Sequence, residues 1–221
     1  MKLNKELFYK SFKQTPQLDF LLDKLDNSTT ITRLSWYAYI LATIEHETAG
    51  TFKPVVEGYW IKTNRENALY NYYLRNNKGA IKSIFPNTQI IKQGNLTAVY
   101  PINPMYYGRG LVQVTHIWNY EKFDKILNIP LLEKPELANE PETAWKILEI
   151  GMVQGLYTGK KLADYLNDKG LDFYSARRII NGVDRASQIA GRADKYFNAL
   201  EWIEQAKAEN GIDRYVGEAK P

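Results

Sequence analysis

Cysteine is absent from the 221 residues and histidine occurs only twice. Without cysteine there can be no disulfide, no thiolate nucleophile and no thiolate-held metal. His46 and His116 stand in no HExxH or comparable ligand spacing, so no metal is expected. No apolar run approaches the roughly 18 residues needed to cross a bilayer, and stable membrane insertion is not expected. The opening MKLNKELFYKSFKQTPQLDFLL contains no uninterrupted apolar core, so a secretory leader is not expected and the product should at first stay in the cytoplasm. YYGRG is glycine-rich but lacks the Lys-Ser/Thr of a phosphate-binding loop and the spacing of a dinucleotide fingerprint. No GxSxG elbow occurs, and no Lys/Arg run resembles a nucleic-acid arm. Nucleotide cofactors and nucleic-acid partners are therefore not expected.

What is present is an ordinary globular composition, without repeats, low-complexity segments or Gly/Ser linkers. One domain over residues 1–221 is expected, built as two lobes around a cleft. The net charge is +4 with a pI near 9.0, which favours an anionic partner. Sixteen tyrosines and five tryptophans supply core area and also suit a ring-lined groove, on which sugars stack. Helical spacing runs through Leu3, Leu7, Phe8 and Phe12, and again through Leu18 to Leu25. A longer helix, LSWYAYILATIEHE, is expected to be capped by Thr32 or Ser35. Pro54 and Gly58 make TFKPVVEGYWI a short strand or extended loop. Residues 61–105 contain a helix around Glu66 to Leu74 and several turn signals, and form a lobe or lid. Helices follow after YYGRG, over Glu142 to Val153, and through GRADKYFNALEWIEQAKAE, where Phe197, Leu200 and Ile203 mark a core face and Lys195 and Lys207 lie off it. The fold class is mainly α, with at most a small β element.

The chemistry concentrates in ATIEHETAGTFKPVVEGYW. Ile40, Ile44 and Glu47 share one helix face, whereas Glu45 points away from it. A carboxylate on an apolar stripe at a helix C-terminus is disfavoured as an anion, which suits a general acid. The plainer alternative is a buried glutamate satisfied by a nearby arginine or histidine. Glu57 lies beyond Gly50 and Pro54 on a separate element. Two carboxylates facing each other across a cleft make the constellation of glycoside hydrolysis, although Glu57 could equally be a surface carboxylate.

HETAG, VVEGYW, YYGRGLVQVTHIWNY, NIPLLEKPELANEPETAWKIL and RRIINGVDRASQIAGRADKYFNAL together resemble the catalytic domain of glycoside hydrolase family 19. The similarity runs from about residue 34 to residue 200. That family contains chitinases and many bacteriophage endolysins on a lysozyme-like, α-rich, bilobal fold. The resemblance implies Glu47 as general acid and Glu57 as general base, one residue later than the usual spacing, with Glu66 as a rival base. It implies that Thr115 holds the attacking water. His46, Tyr107, Gln113, Asn119 and Asn181 would contact the sugar chain, and Arg192 would support the carboxylates. Tyr106, Gly108, Arg109 and Gly110 would be structural. It implies no cofactor.

Both polymers such enzymes cleave are β-1,4 chains bearing N-acetyl groups. The lack of cysteine and the basic charge favour peptidoglycan glycan strands, cleaved by a monomeric endolysin made in the host cytoplasm and released to the wall. Chitin oligosaccharides are the alternative substrate, and a non-catalytic sugar-binding module is the second alternative.

Overall fold

The computed structural model describes residues 2–93 and 96–203. Two short helices open the chain. Helix α1 (Lys5–Ser11) starts where the Asn4 side chain accepts the Leu7 N–H, and α2 (Pro16–Asn27) where Thr15 accepts that of Leu18 with Pro16 in the first turn. The central helix α3 (Leu34–Glu47) has neither expected cap: Arg33 precedes it and contributes no capping side chain. Packing stabilises it instead. Tyr37, Tyr39, Ile40, Leu41 and Ile44 are all buried, so the helix is enclosed around most of its circumference rather than along one stripe.

Strand β1 (Val55–Val56) follows, then α4 (Arg65–Asn76), one 3-10 turn and α5 (Ile81–Ile84). The antiparallel hairpin β2 (Thr88–Gln93) and β3 (Leu96–Pro101) comes next, and then β4 (Arg109–Gly110), which pairs antiparallel with β1. Helices α6 (Ile117–Leu127) and α7 (Pro141–Gln154) complete the middle of the chain. The C-terminal part holds α8 (Leu162–Tyr165), the minimal hairpin β5 (Leu166–Asn167) and β6 (Gly170–Leu171), α9 (Phe173–Ala176) and α10 (Ala186–Ala199).

Three apolar clusters organise these elements. The largest gathers α1, α2, α3, α7 and α10 around Phe8, Leu22, Ile40, Leu148 and Ile189. A second, smaller one joins α4 and α5 through Leu69, Tyr70, Ile84 and Phe85, with Met105 and Tyr107. A third lies beneath α6, around Tyr120, Phe123 and Leu131. Residues 61–105 are thus a lobe with its own core, and the hairpin within it is more β structure than the turn signals indicated.

The last helix also differs from expectation. It stops at Ala199, and Trp202 then forms an antiparallel bridge with Leu3. Leu200 is buried but lies outside the helix, and Ile203 is exposed rather than part of a core face. Lys207 lies outside the described residues.

Candidate active site

The loop from α3 to β1 separates the two leading carboxylates. Thr48 closes the helix by donating its hydroxyl to the Ile44 carbonyl at 2.7 Å, and Ala49, Gly50 and Phe52 all take positive φ. Those left-handed residues turn the chain sharply, and β1 then delivers Glu57 onto the second lobe.

Glu47 has a cationic partner. Its Oε1 accepts a 2.5 Å bond from Nη1 of Arg177, whose side chain is 5% exposed against 17% for Glu47. Arg177 also donates Nε–H to the carbonyl of Asp184 at 3.2 Å, which fixes the guanidinium from its far side. The isolated apolar setting expected for Glu47 is therefore replaced by a compensated ion pair. Oε2 of Glu47 makes no hydrogen bond among the described residues. The pair leaves that oxygen for other chemistry.

Glu57 is held by neutral donors. Tyr73 on α4 donates its hydroxyl to Oε1 at 2.8 Å, and the backbone N–H of Gly108 donates to Oε2 at 2.8 Å. The Glu57 N–H returns a bond to the Gly108 carbonyl, also at 2.8 Å, so the β1–β4 pairing continues into the site. Burial first, then the charge of Glu57 and the hydrogen bond to it, push the Tyr73 phenol well above its ordinary value, and it stays a donor. Each carboxylate oxygen still has a lone pair for a water. Gly108 leaves little room beside the carboxylate: a Cβ there would stand 2.3 Å from Oε1 of Gln113 and 3.2 Å from Oε2 of Glu57.

Gln113 is pinned beside this carboxylate by donating to the Val55 carbonyl at 3.1 Å. Thr115 keeps its hydroxyl without a partner among the described residues, while its carbonyl accepts from the side chain of Asn119 at 2.8 Å. His116 takes an unusual backbone conformation, φ 74°, and stacks on Trp118 with ring centroids 4.6 Å apart. Its Nδ1 lies 2.9 Å from Oγ of Ser83, whose hydroxyl is also within 2.8 Å of the Ala80 carbonyl. Burial lowers the His116 pKa, opposed by the charge of Glu57.

The remaining expected residues have other partners. Tyr107, expected to touch sugar, is buried beneath the Arg109 guanidinium, 3.9 Å from its ring. Its hydroxyl reaches Glu66, the rival base, at 3.4 Å, and Glu66 also pairs with Arg65. Arg192 supports neither leading carboxylate: it faces Glu45 at 3.5 Å and Nδ1 of His46 at 3.5 Å. Glu45, expected to point away from the Glu47 face, thus has its own partners, and it also accepts from Tyr196 at 3.0 Å. Burial lowers the pKa of His46, which lies beside Glu47 and several arginines. Asn181 is exposed and its side chain accepts the N–H of Gly182.

Arg177 and Tyr73 were missed by sequence reasoning. Arg177 lies four residues before Asn181 in RRIING, a faint signal, and Tyr73 carries none beyond its place on α4. Arg109 proves structural, buried and donating to the carbonyls of Met105 and Tyr107 and to the Tyr120 hydroxyl. Among the described residues no cluster of side chains could hold a metal ion.

No family model and no curated protein matches the sequence. Among solved structures, the fold resembles that of chitinase C from Streptomyces griseus HUT6037, at 19% identity and a TM-score of 0.53, over 89% of this chain and 75% of that one. At that identity the likeness shows the fold alone. It is mainly α, lysozyme-like and bilobal, with only small two-stranded sheets.

Proposed function

We propose that the chain is a glycoside hydrolase that cleaves β-1,4 bonds of an N-acetylated glycan, with Glu47 and Glu57 as its two carboxylates. The observation that carries this reading is the contrast in how the pair is held on separate lobes: Glu47 presents a free Oε2, while Glu57 is oriented through both oxygens by neutral donors. Glu47 Oε2 would hand a proton to the leaving oxygen. Glu57 would take one from a water, steadied by the unengaged Thr115 hydroxyl, as that water attacks the opposite face of the sugar. Such an arrangement inverts the anomeric carbon when the carboxylates leave room for the water. The amide groups of Gln113 and Asn119 offer paired donors and acceptors for sugar hydroxyls and N-acetyl groups.

Peptidoglycan is the favoured substrate and endolysis the favoured role, since an excess of exposed cations suits an anionic envelope. Chitin is the second reading, supported by the fold shared with a chitinase. Turbidity of purified cell walls and release from chitin oligosaccharides should be measured side by side. Glu47→Gln and Glu57→Gln should each lower kcat by about a thousandfold, the usual scale of general acid or base catalysis. Wall clearing that survives Glu47→Gln would overturn the assignment. Binding to either polymer without cleavage would leave a sugar-binding module.

A further inference from the structure

The net charge of the protein is concentrated in one stretch of the chain, which includes most of the second lobe. Residues 67–120 contain five of the 29 cations, namely Arg75, Lys78, Lys82, Lys92 and Arg109, and none of the 25 carboxylates. The rest of the chain, with 24 cations and 25 carboxylates, is nearly neutral. Arg109 is buried and occupied by backbone carbonyls. The other four are exposed, and none makes an ion pair among the described residues.

The hairpin β2–β3 belongs to this lobe. Ile90 is 60% exposed and Ile91 47%, and as neighbours on a strand they leave opposite faces of the ribbon. Tyr100, opposite Gln89, and Ile102 are exposed as well. Val99 ties the hairpin to the second cluster, and the sheet has two strands, so the outer edge of β2 pairs with nothing described.

We propose that this hairpin docks the protein on an anionic lipid surface, with its aliphatic side chains in the headgroup region and Lys92 and the other exposed cations of the same stretch drawn to the phosphates. A flat glycan or a folded partner would cover one face of the ribbon and leave the other isoleucine in water. A lipid interface accepts apolar groups on both faces at once. A phosphate-rich polymer would engage the cations and leave the isoleucines unused, and a second copy would bring together two surfaces that both carry an excess of cations. Lysines near such a surface are attracted strongly enough to give reversible adsorption without insertion. The inference rests on charge and exposure alone and holds whether or not the protein hydrolyses a glycan.

The full chain should co-sediment with phosphatidylcholine vesicles that contain about a third phosphatidylglycerol, not with phosphatidylcholine alone, and salt should release it. Neutralising Lys78, Lys82 or Lys92 to Gln should weaken binding about fivefold each. The double change Ile90→Asp, Ile91→Asp should abolish binding, and unchanged thermal melting would show that folding is intact, because both side chains are exposed. Absence of binding to the anionic vesicles would overturn the proposal. So would equal binding by the double variant, which would leave only a generic attraction for phosphate, or lipid-free self-association that the double variant loses, which would make the hairpin a contact between copies.

Discussion

Glu47 and Glu57 stand ten residues apart in the chain and are secured by opposite means. Glu47 ends an enclosed helix and is matched by a buried guanidinium 130 residues away in sequence. Glu57 follows a two-residue strand and is matched by a phenol and a backbone N–H, 16 and 51 residues away. A cation compensates charge, whereas neutral donors chiefly fix direction. The contrast suits a division of labour in which one carboxylate is anchored in the main core and the other is aimed from the smaller lobe.

The comparison is broken most severely at Arg177. Arg177→Met leaves a half-buried carboxylate without its cation and should cost on the order of 3 kcal/mol of stability in chemical denaturation. Adding Glu47→Gln should restore much of that loss, and a strictly additive double variant would mean that the two side chains are not coupled. Gly108→Ala comes next. Its methyl group would collide with Gln113, so that side chain must leave the Val55 carbonyl, at about 1–3 kcal/mol, and kcat should fall together with stability. Tyr73→Phe removes one neutral hydrogen bond from Glu57 and should cost about 1 kcal/mol, with a lower kcat and an unchanged KM. A loss as large as that of Arg177→Met would erase the distinction between charged and neutral anchoring.

The smallest effect concerns pH. Burial lowers the pKa of His46 and His116 from the ordinary 6.5. Below that value the unfolded chain binds protons that the folded state does not yet accept, so stability should decline as pH falls below neutrality and stay level above it. Replacing both histidines with Asn should flatten thermal melting temperatures between neutral and mildly acidic pH. Further into acid, Asp19, stabilised as an anion by the Tyr9 hydroxyl, and Asp172, by the Ser175 N–H, would extend the decline.

Local pattern explains why some elements were legible. Helix α4 was expected over Glu66 to Leu74 and spans Arg65–Asn76, because periodicity and propensity agree there. The β2–β3 hairpin lies where the sequence shows only turn signals. Strands show alternation when one face is buried, and here both faces carry exposed isoleucines, so TQIIKQ shows none. The phase of α3 placed Glu47 at the helix end and turned Glu45 to another side, but it did not show what Glu45 would meet there. A single stripe was assumed, and the helix is wrapped by neighbours that supply Arg192 and Tyr196 on another side.

The sequence by itself determined the class of the fold, the separation of Glu47 from Glu57 onto different elements, and the exclusion of disulfide chemistry, because these follow from short-range spacing and residue type. Tertiary structure alone decided the partners. Arg177, Tyr73 and Gly108 reach their carboxylates through packing of elements distant in the chain, and Tyr107 is buried by an arginine that turns back over its ring. Residue identity and spacing set what a side chain can donate or accept, and only the assembled core sets which groups come within hydrogen-bonding distance.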